Sequence, residues 1–129
     1  METNFLPFLI GVGIFGGMGA VIRGLASNWS GRLPYGILAV NSVASLVAGF
    51  AAAALSAAPA NDPKAQLIYV VVVAGFCGGL STFSSFAANT VELIRQGRAI
   101  MAAINAALNF ILPVVAVVLG VLLASSLLK

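Results

Sequence analysis

Charged side chains divide this chain into four long uncharged runs, and that partition constrains the fold more than any other feature. The runs are 3–22, 33–61, 65–91 and 99–128. Each matches or exceeds the roughly 20 residues needed to cross the hydrocarbon core of a bilayer. The expected structure is therefore all-α, with four transmembrane helices near 5–26, 35–58, 66–94 and 99–127. The connectors have turn chemistry: Ser27-Asn28-Trp29-Ser30-Gly31-Arg32-Leu33-Pro34, then Pro59-Ala60-Asn61-Asp62-Pro63-Lys64, then Arg95-Gln96-Gly97-Arg98. Trp29, Tyr35 and Tyr69 fall near the expected helix ends, where amphipathic rings prefer the membrane interface. A single transmembrane domain over residues 1–129 accounts for the whole chain.

Composition removes the competing classes. Only 7% of residues are charged, against about a quarter in soluble domains. A surface so poor in charge excludes a soluble enzyme, a disordered tail and a basic nucleic-acid binder, so no nucleic-acid partner is expected. The lone cysteine, Cys77, excludes an internal disulfide framework and a multi-cysteine metal site. The absence of histidine removes the commonest general base and metal ligand. The N-terminus lacks a basic region and its apolar run is too long for a secretory signal, so none is expected. The carboxylates are Glu2, Asp62 and Glu92, all at or near span ends. With no titratable group at mid-membrane, proton-coupled transport has no carrier. There is also no P-loop, zinc motif or nucleophile–base pair, and catalysis is not expected.

Four spans place both termini on one side together with Lys64 and Lys129, while Arg23, Arg32, Arg95 and Arg98 collect on the other. The positive-inside rule reads this as a modest bias. It is compatible with a fixed orientation, termini outside, and equally with insertion in both orientations. Small residues four apart let helices approach closely in lipid. Gly13 and Gly17 have that spacing, as do Gly16, Ala20 and Gly24, and so do Ala44, Ala48 and Ala52 beside Ser45 and Gly49. These faces suit packing within one subunit and association of subunits, and four helices are few to enclose a pathway alone.

Polar groups within spans are costly and mark candidate sites. Arg23 closes the first span, either as an interfacial snorkelling arginine or as an anchor at an anion entrance. Asn41 lies about 9 Å into the second helix, where its amide can donate to an anion or to a neighbouring helix. The third span holds Gly75-Phe76-Cys77-Gly78-Gly79-Leu80-Ser81-Thr82-Phe83-Ser84-Ser85-Phe86, a poor continuous helix. A break there frees carbonyl oxygens, tolerable in lipid only when buried in protein or occupied by a ligand such as Na⁺; a glycine kink used only for packing is the alternative. Cys77 in this stretch is most simply a small buried apolar residue. Phe83 and Phe86 share a helical face, as core or as aromatic edges turned to an anion. Asn105, Asn109 and Pro113 line one face of the fourth helix, as a polar track or as interhelical hydrogen bonding with a kink.

With these residues in view, the chain resembles the Fluc/CrcB family of fluoride channels. The resemblance runs over all four spans and rests on Gly17-Met18-Gly19-Ala20-Val21-Ile22-Arg23, on Gly36-Ile37-Leu38-Ala39-Val40-Asn41, and on the stretch from Gly75 to Phe86. It implies a passive fluoride-selective channel in the bacterial plasma membrane, built as an antiparallel, dual-topology homodimer with a broken third helix and two pores. It implies that Asn41, Phe83 and Phe86 line the pore with Ser85, and that Arg23 stands at its entrance. The main-chain carbonyls of Gly78 and Ser81 from both subunits then hold a structural Na⁺ at the dimer centre. The chain departs from the family pattern at Ile37 and Asn89, and its helix 4 track reads Asn105, Asn109 and Pro113. The asparagines keep the hydrogen-bonding capacity of that track.

The physical problem accounts for such residues. Fluoride is small and strongly hydrated, so its water must be replaced by donors that do not trap it. Amides, hydroxyls and aromatic edges supply weak, distributed sites, whereas a fixed Lys or Arg at mid-pore binds too tightly. Two other classes compete: a four-helix multidrug-type transporter, which depends on an embedded acid that the first span lacks after Glu2, and a non-conducting structural subunit.

Overall fold

The computed structural model describes residues 5–128, and among them every regular element is helical. In chain order these are α1 (Phe5–Ala26), α2 (Tyr35–Ala57), α3 (Pro63–Val70), a π-helical stretch (Val71–Cys77), the single turn α4 (Gly78–Leu80), α5 (Phe83–Arg95) and α6 (Ala99–Leu127). Glu2 and Lys129, both used in the charge count, lie outside the described residues. Four segments are long and apolar enough to cross a membrane: Phe5–Ala26, Tyr35–Ala57, Pro63–Arg95 and Ala99–Leu127. The shortest has 22 residues and extends about 33 Å, enough to cover a hydrocarbon core of about 30 Å. The outer faces match that setting. Leu6 and Val21 on α1 and Val114 and Leu122 on α6 are more than half exposed, which lipid tolerates and water does not.

Local chemistry sets the ends of these segments. The third span begins at Pro63, three residues ahead of the expected 66. There the Asp62 carboxylate accepts the Lys64 N–H at 2.9 Å, and Pro63 occupies a first-turn position that has no donor to satisfy. It ends at Gly97, whose φ of +75° is open to glycine at little cost, and the N–H groups of Gly97 and Arg98 donate to the Ile94 and Leu93 carbonyls. The Arg98 guanidinium donates to the Arg32 carbonyl, tying the α5–α6 turn to the α1–α2 loop.

Two seams hold the helices together. The most extensive is α2 against α6, where Gly49 of α2 and Gly120 of α6 are buried. A Cβ on Gly120 would collide with the Leu46 carbonyl and sit 2.8 Å from the Phe50 nitrogen, and one on Gly49 would collide with the Val117 carbonyl. Backbone meets backbone here because the side chains are small. The second seam packs α1 on the π-helical stretch and α4. Buried Gly19 lies against the Phe76 carbonyl and the Leu80 nitrogen, and Gly79 against the Gly16 carbonyl. The Gly13 and Gly17 pair is turned away from this seam, with nothing within 4 Å of either Cβ position. A core of Val40, Ala44, Cys77 and Leu80 joins α2 to the third span.

Candidate functional site

The site is built where the third span stops being helical. Ser81 (φ −80°, ψ 153°) and Thr82 (φ −154°, ψ 125°) are extended between α4 and α5. Their peptide groups therefore need partners from elsewhere, which lipid does not provide. Asn41 of α2 serves Thr82. The Thr82 N–H donates to Asn41 Oδ1 at 2.8 Å, and Asn41 Nδ2 donates to the Thr82 carbonyl at 3.2 Å. One side-chain amide thus pairs with one residue's backbone as a neighbouring strand would. The Thr82 N–H is the donor that an unbroken helix directs to the Gly78 carbonyl, four residues back.

The rest of the interruption is held by nearby groups. The Ser81 N–H and hydroxyl both donate to the Cys77 carbonyl, at 2.9 and 2.8 Å. The half-buried Arg23 guanidinium donates to the Ser81 carbonyl at 3.4 Å. Arg23 thus engages the interruption itself. Thr82 caps α5 by accepting the Ser85 N–H at 3.2 Å, and its hydroxyl donates to the Ser85 hydroxyl at 3.3 Å.

From Asn41 a row of amides runs along α6. Asn41 Nδ2 also donates to Asn109 Oδ1 at 3.1 Å. Asn109 Nδ2 donates to Asn105 twice, to its carbonyl at 3.0 Å and to Oδ1 at 3.1 Å. Asn105 Nδ2 donates to Thr90 Oγ1 at 2.9 Å, and that hydroxyl donates to the Phe86 carbonyl at 2.8 Å. Asn105 is 0% exposed, and among the described residues no buried side-chain polar atom is left without a partner.

Beside this row lies a cavity of about 220 Å³. Asn41, Ser45, Ser81, Thr82 and Asn109 give it a polar wall, and Phe83, Phe86, Phe110 and Pro113 an apolar one. The Phe83 and Phe86 rings meet edge to face, with centroids 5.4 Å apart, and Phe86 meets Phe110 in the same way at 5.9 Å. Ring edges carry partial positive charge. No charged side chain lines this cavity. Phe83 is 73% and Phe110 63% exposed, while Phe86 is buried, so one side of the cavity opens to the outside of the chain.

Of the residues singled out in the sequence, Asn41, Ser81, Phe83, Phe86, Asn109 and Pro113 meet in this cavity. Ser85 lies behind Thr82, Asn105 lies behind Asn109, and Gly78 is exposed on the outer face. Phe110 and Thr90 were not singled out. Phe110 stands one turn before Pro113, and Thr90 one turn beyond Phe86, so helical spacing from known candidates would have found both. Among the described residues no three His, Cys, Asp or Glu side chains come together to bind a metal. A cation held here depends on neutral oxygens.

The sequence profile of the family described as CrcB-like protein, Camphor Resistance (CrcB), matches residues 10–121. The chain is 38% identical over 127 residues to a protein of Syntrophotalea carbinolica named Fluoride-specific ion channel FluC, covering 92% of this chain and 98% of the relative. Proteins of the same name from Serratia proteamaculans and Clostridium novyi are 39% and 35% identical, over 81% and 93% of this chain and 83% and 94% of theirs.

Proposed function

The chain belongs to the CrcB-like family, and on that premise we propose that it is a passive, fluoride-selective ion channel. The observation that carries this reading is the uncharged cavity lined by the Asn41 amide and the rings of Phe83 and Phe86. A fluoride ion leaving water there meets amide donors, hydroxyls and ring edges, each weak and none a fixed charge, so it is bound without being trapped. Once a second copy narrows the open side, larger anions would be penalised by size. No acid or base lines the cavity, so movement follows the electrochemical gradient of fluoride without coupling to protons. In a bacterial plasma membrane that flow lets cytoplasmic fluoride leave.

The working unit of this proposal is an antiparallel homodimer of dual topology. One chain leaves its cavity open on the side of Phe83 and Phe110, and a second copy would close it. The third helix, broken at Ser81–Thr82, then has a second use. Gly78 is exposed, its carbonyl has lost the Thr82 donor to Asn41, and Ser81, whose carbonyl also accepts from Arg23, is half-buried nearby. Neutral main-chain oxygens suit a hard cation, and the Gly78 and Ser81 carbonyls of two chains would hold a structural Na⁺. When bound, that ion would supply positive charge against the carbonyl dipoles of these residues.

Purified protein in liposomes loaded with both halides tests the reading. Fluoride should leave while chloride stays, at the same rate with or without an imposed pH step above about pH 7. Equal efflux of the two ions, or fluoride accumulation driven by the pH step, would overturn it.

A further inference from the structure

We propose that Asn109 is a tethered competitor for the Asn41 donor, and that its side-chain carbonyl sets how tightly fluoride is held. The inference rests on the fluoride-channel reading above and adds a rule for affinity. A primary amide has two N–H donors. Those of Asn41 go to the Thr82 carbonyl at 3.2 Å and to Asn109 Oδ1 at 3.1 Å. An anion that takes an Asn41 N–H must therefore displace an oxygen already there. Thr82 is held at two points, because its N–H also donates to Asn41 Oδ1. Asn109 Oδ1 is held at one, so it is the acceptor that yields.

The amide of Asn109 cannot evade this role by turning over. The Phe86 carbonyl accepts only, so the Thr90 hydroxyl donates to it and offers its oxygen to Asn105 Nδ2. That leaves Asn105 Oδ1 facing Asn109, next to the Asn105 main-chain carbonyl, and both accept from Asn109 Nδ2. A flipped Asn109 would set its oxygen against these two oxygens and its N–H groups against those of Asn41. The row has one direction, set by backbone carbonyls at its far end. Asn105, fully buried and outside the cavity lining, is in this sense a positioning residue. The result is a donor already engaged at rest, which accepts fluoride in exchange for Asn109 and recovers Asn109 as fluoride leaves.

The test is the fluoride concentration at which efflux from liposomes half-saturates, measured separately from the maximal rate. In N109A the competitor is gone, and the half-saturating concentration should fall about tenfold. In N109D the acceptor is kept and made anionic, and that concentration should rise at least as far. N105A frees one of the two holds on the Asn109 amide and should shift it about threefold in the direction of N109A. Opposite signs for N109A and N109D are what a merely structural role cannot produce. If N109A fails to elute as a folded species, N109S carries the same expectation, because its hydroxyl ends one bond short of the amide oxygen. An unchanged or higher half-saturating concentration in the folded alanine or serine variant overturns the proposal. Wild-type protein that releases no more fluoride than empty liposomes overturns the channel reading instead.

Discussion

Gly78 and Gly79 are adjacent in the third span and stand in opposite surroundings. A Cβ on Gly79 would collide with the Gly16 carbonyl of α1, whereas one on Gly78 meets only the Val73 carbonyl, at 3.7 Å. The same division runs through α1. Gly16 and Gly19 press on the third span, while a Cβ on Gly13, Gly17 or Gly24 would meet nothing within 4 Å. The inner face spends its glycines on helix crossings inside the chain. The outer face carries glycines that pack closely against nothing within the chain. Glycine spacing signals close approach of helices, and only the neighbours reveal whether the approach is already made.

Substitutions can break this comparison. The largest effect is expected at the α2–α6 seam, where G120L places a side chain into the Leu46 carbonyl. It should cost about 3 kcal/mol or more, read as loss of folded protein in detergent denaturation. Next, G79A should destabilise the chain by about 1–3 kcal/mol, while G78A stays within about 0.5 kcal/mol. G78L sharpens the contrast, since the folded chain should persist while cross-linking of two copies and fluoride efflux fall. Equal damage from G78A and G79A would erase the distinction between the faces.

Asn41 probes the border between the two regions. N41L removes both bonds to the Thr82 backbone and should cost about 1–3 kcal/mol for each orphaned group. Faster amide exchange at Thr82 than at Leu80 would report it. The smallest effect belongs to S81A. The Ser81 hydroxyl repeats a bond to the Cys77 carbonyl that the Ser81 N–H already makes. Stability should move by no more than about 0.5 kcal/mol, and fluoride efflux should persist. A large loss from S81A would show that the hydroxyl, rather than the main-chain oxygen, is the group in use.

How much of the site was legible depends on the distance over which each feature is decided. Asn41, Asn109 and the two phenylalanines stand out because an amide or an aromatic pair inside an apolar run is anomalous wherever the run packs. Their meeting depends on how α2, α5 and α6 are rotated, and no local pattern encodes that. The π-helical stretch at Val71–Cys77 carries no marker in a run of valines. Arg23 is ambiguous in the sequence because a long side chain at a span end reaches either water or protein. It turns to the Ser81 carbonyl.

The four spans, their ends to within three residues, and the lack of charge through their middles are properties of the sequence alone. Each helix in lipid must satisfy its own backbone and shed its own charges, so those properties are written residue by residue. The tertiary structure alone decided which glycines are covered, which acceptor completes Thr82, and which way the Asn41, Asn109 and Asn105 amides point. These are pairwise matters between segments up to 74 residues apart, as at Gly120 and Leu46. They are settled by how closely two backbones approach and by which carbonyl lies within reach of which donor.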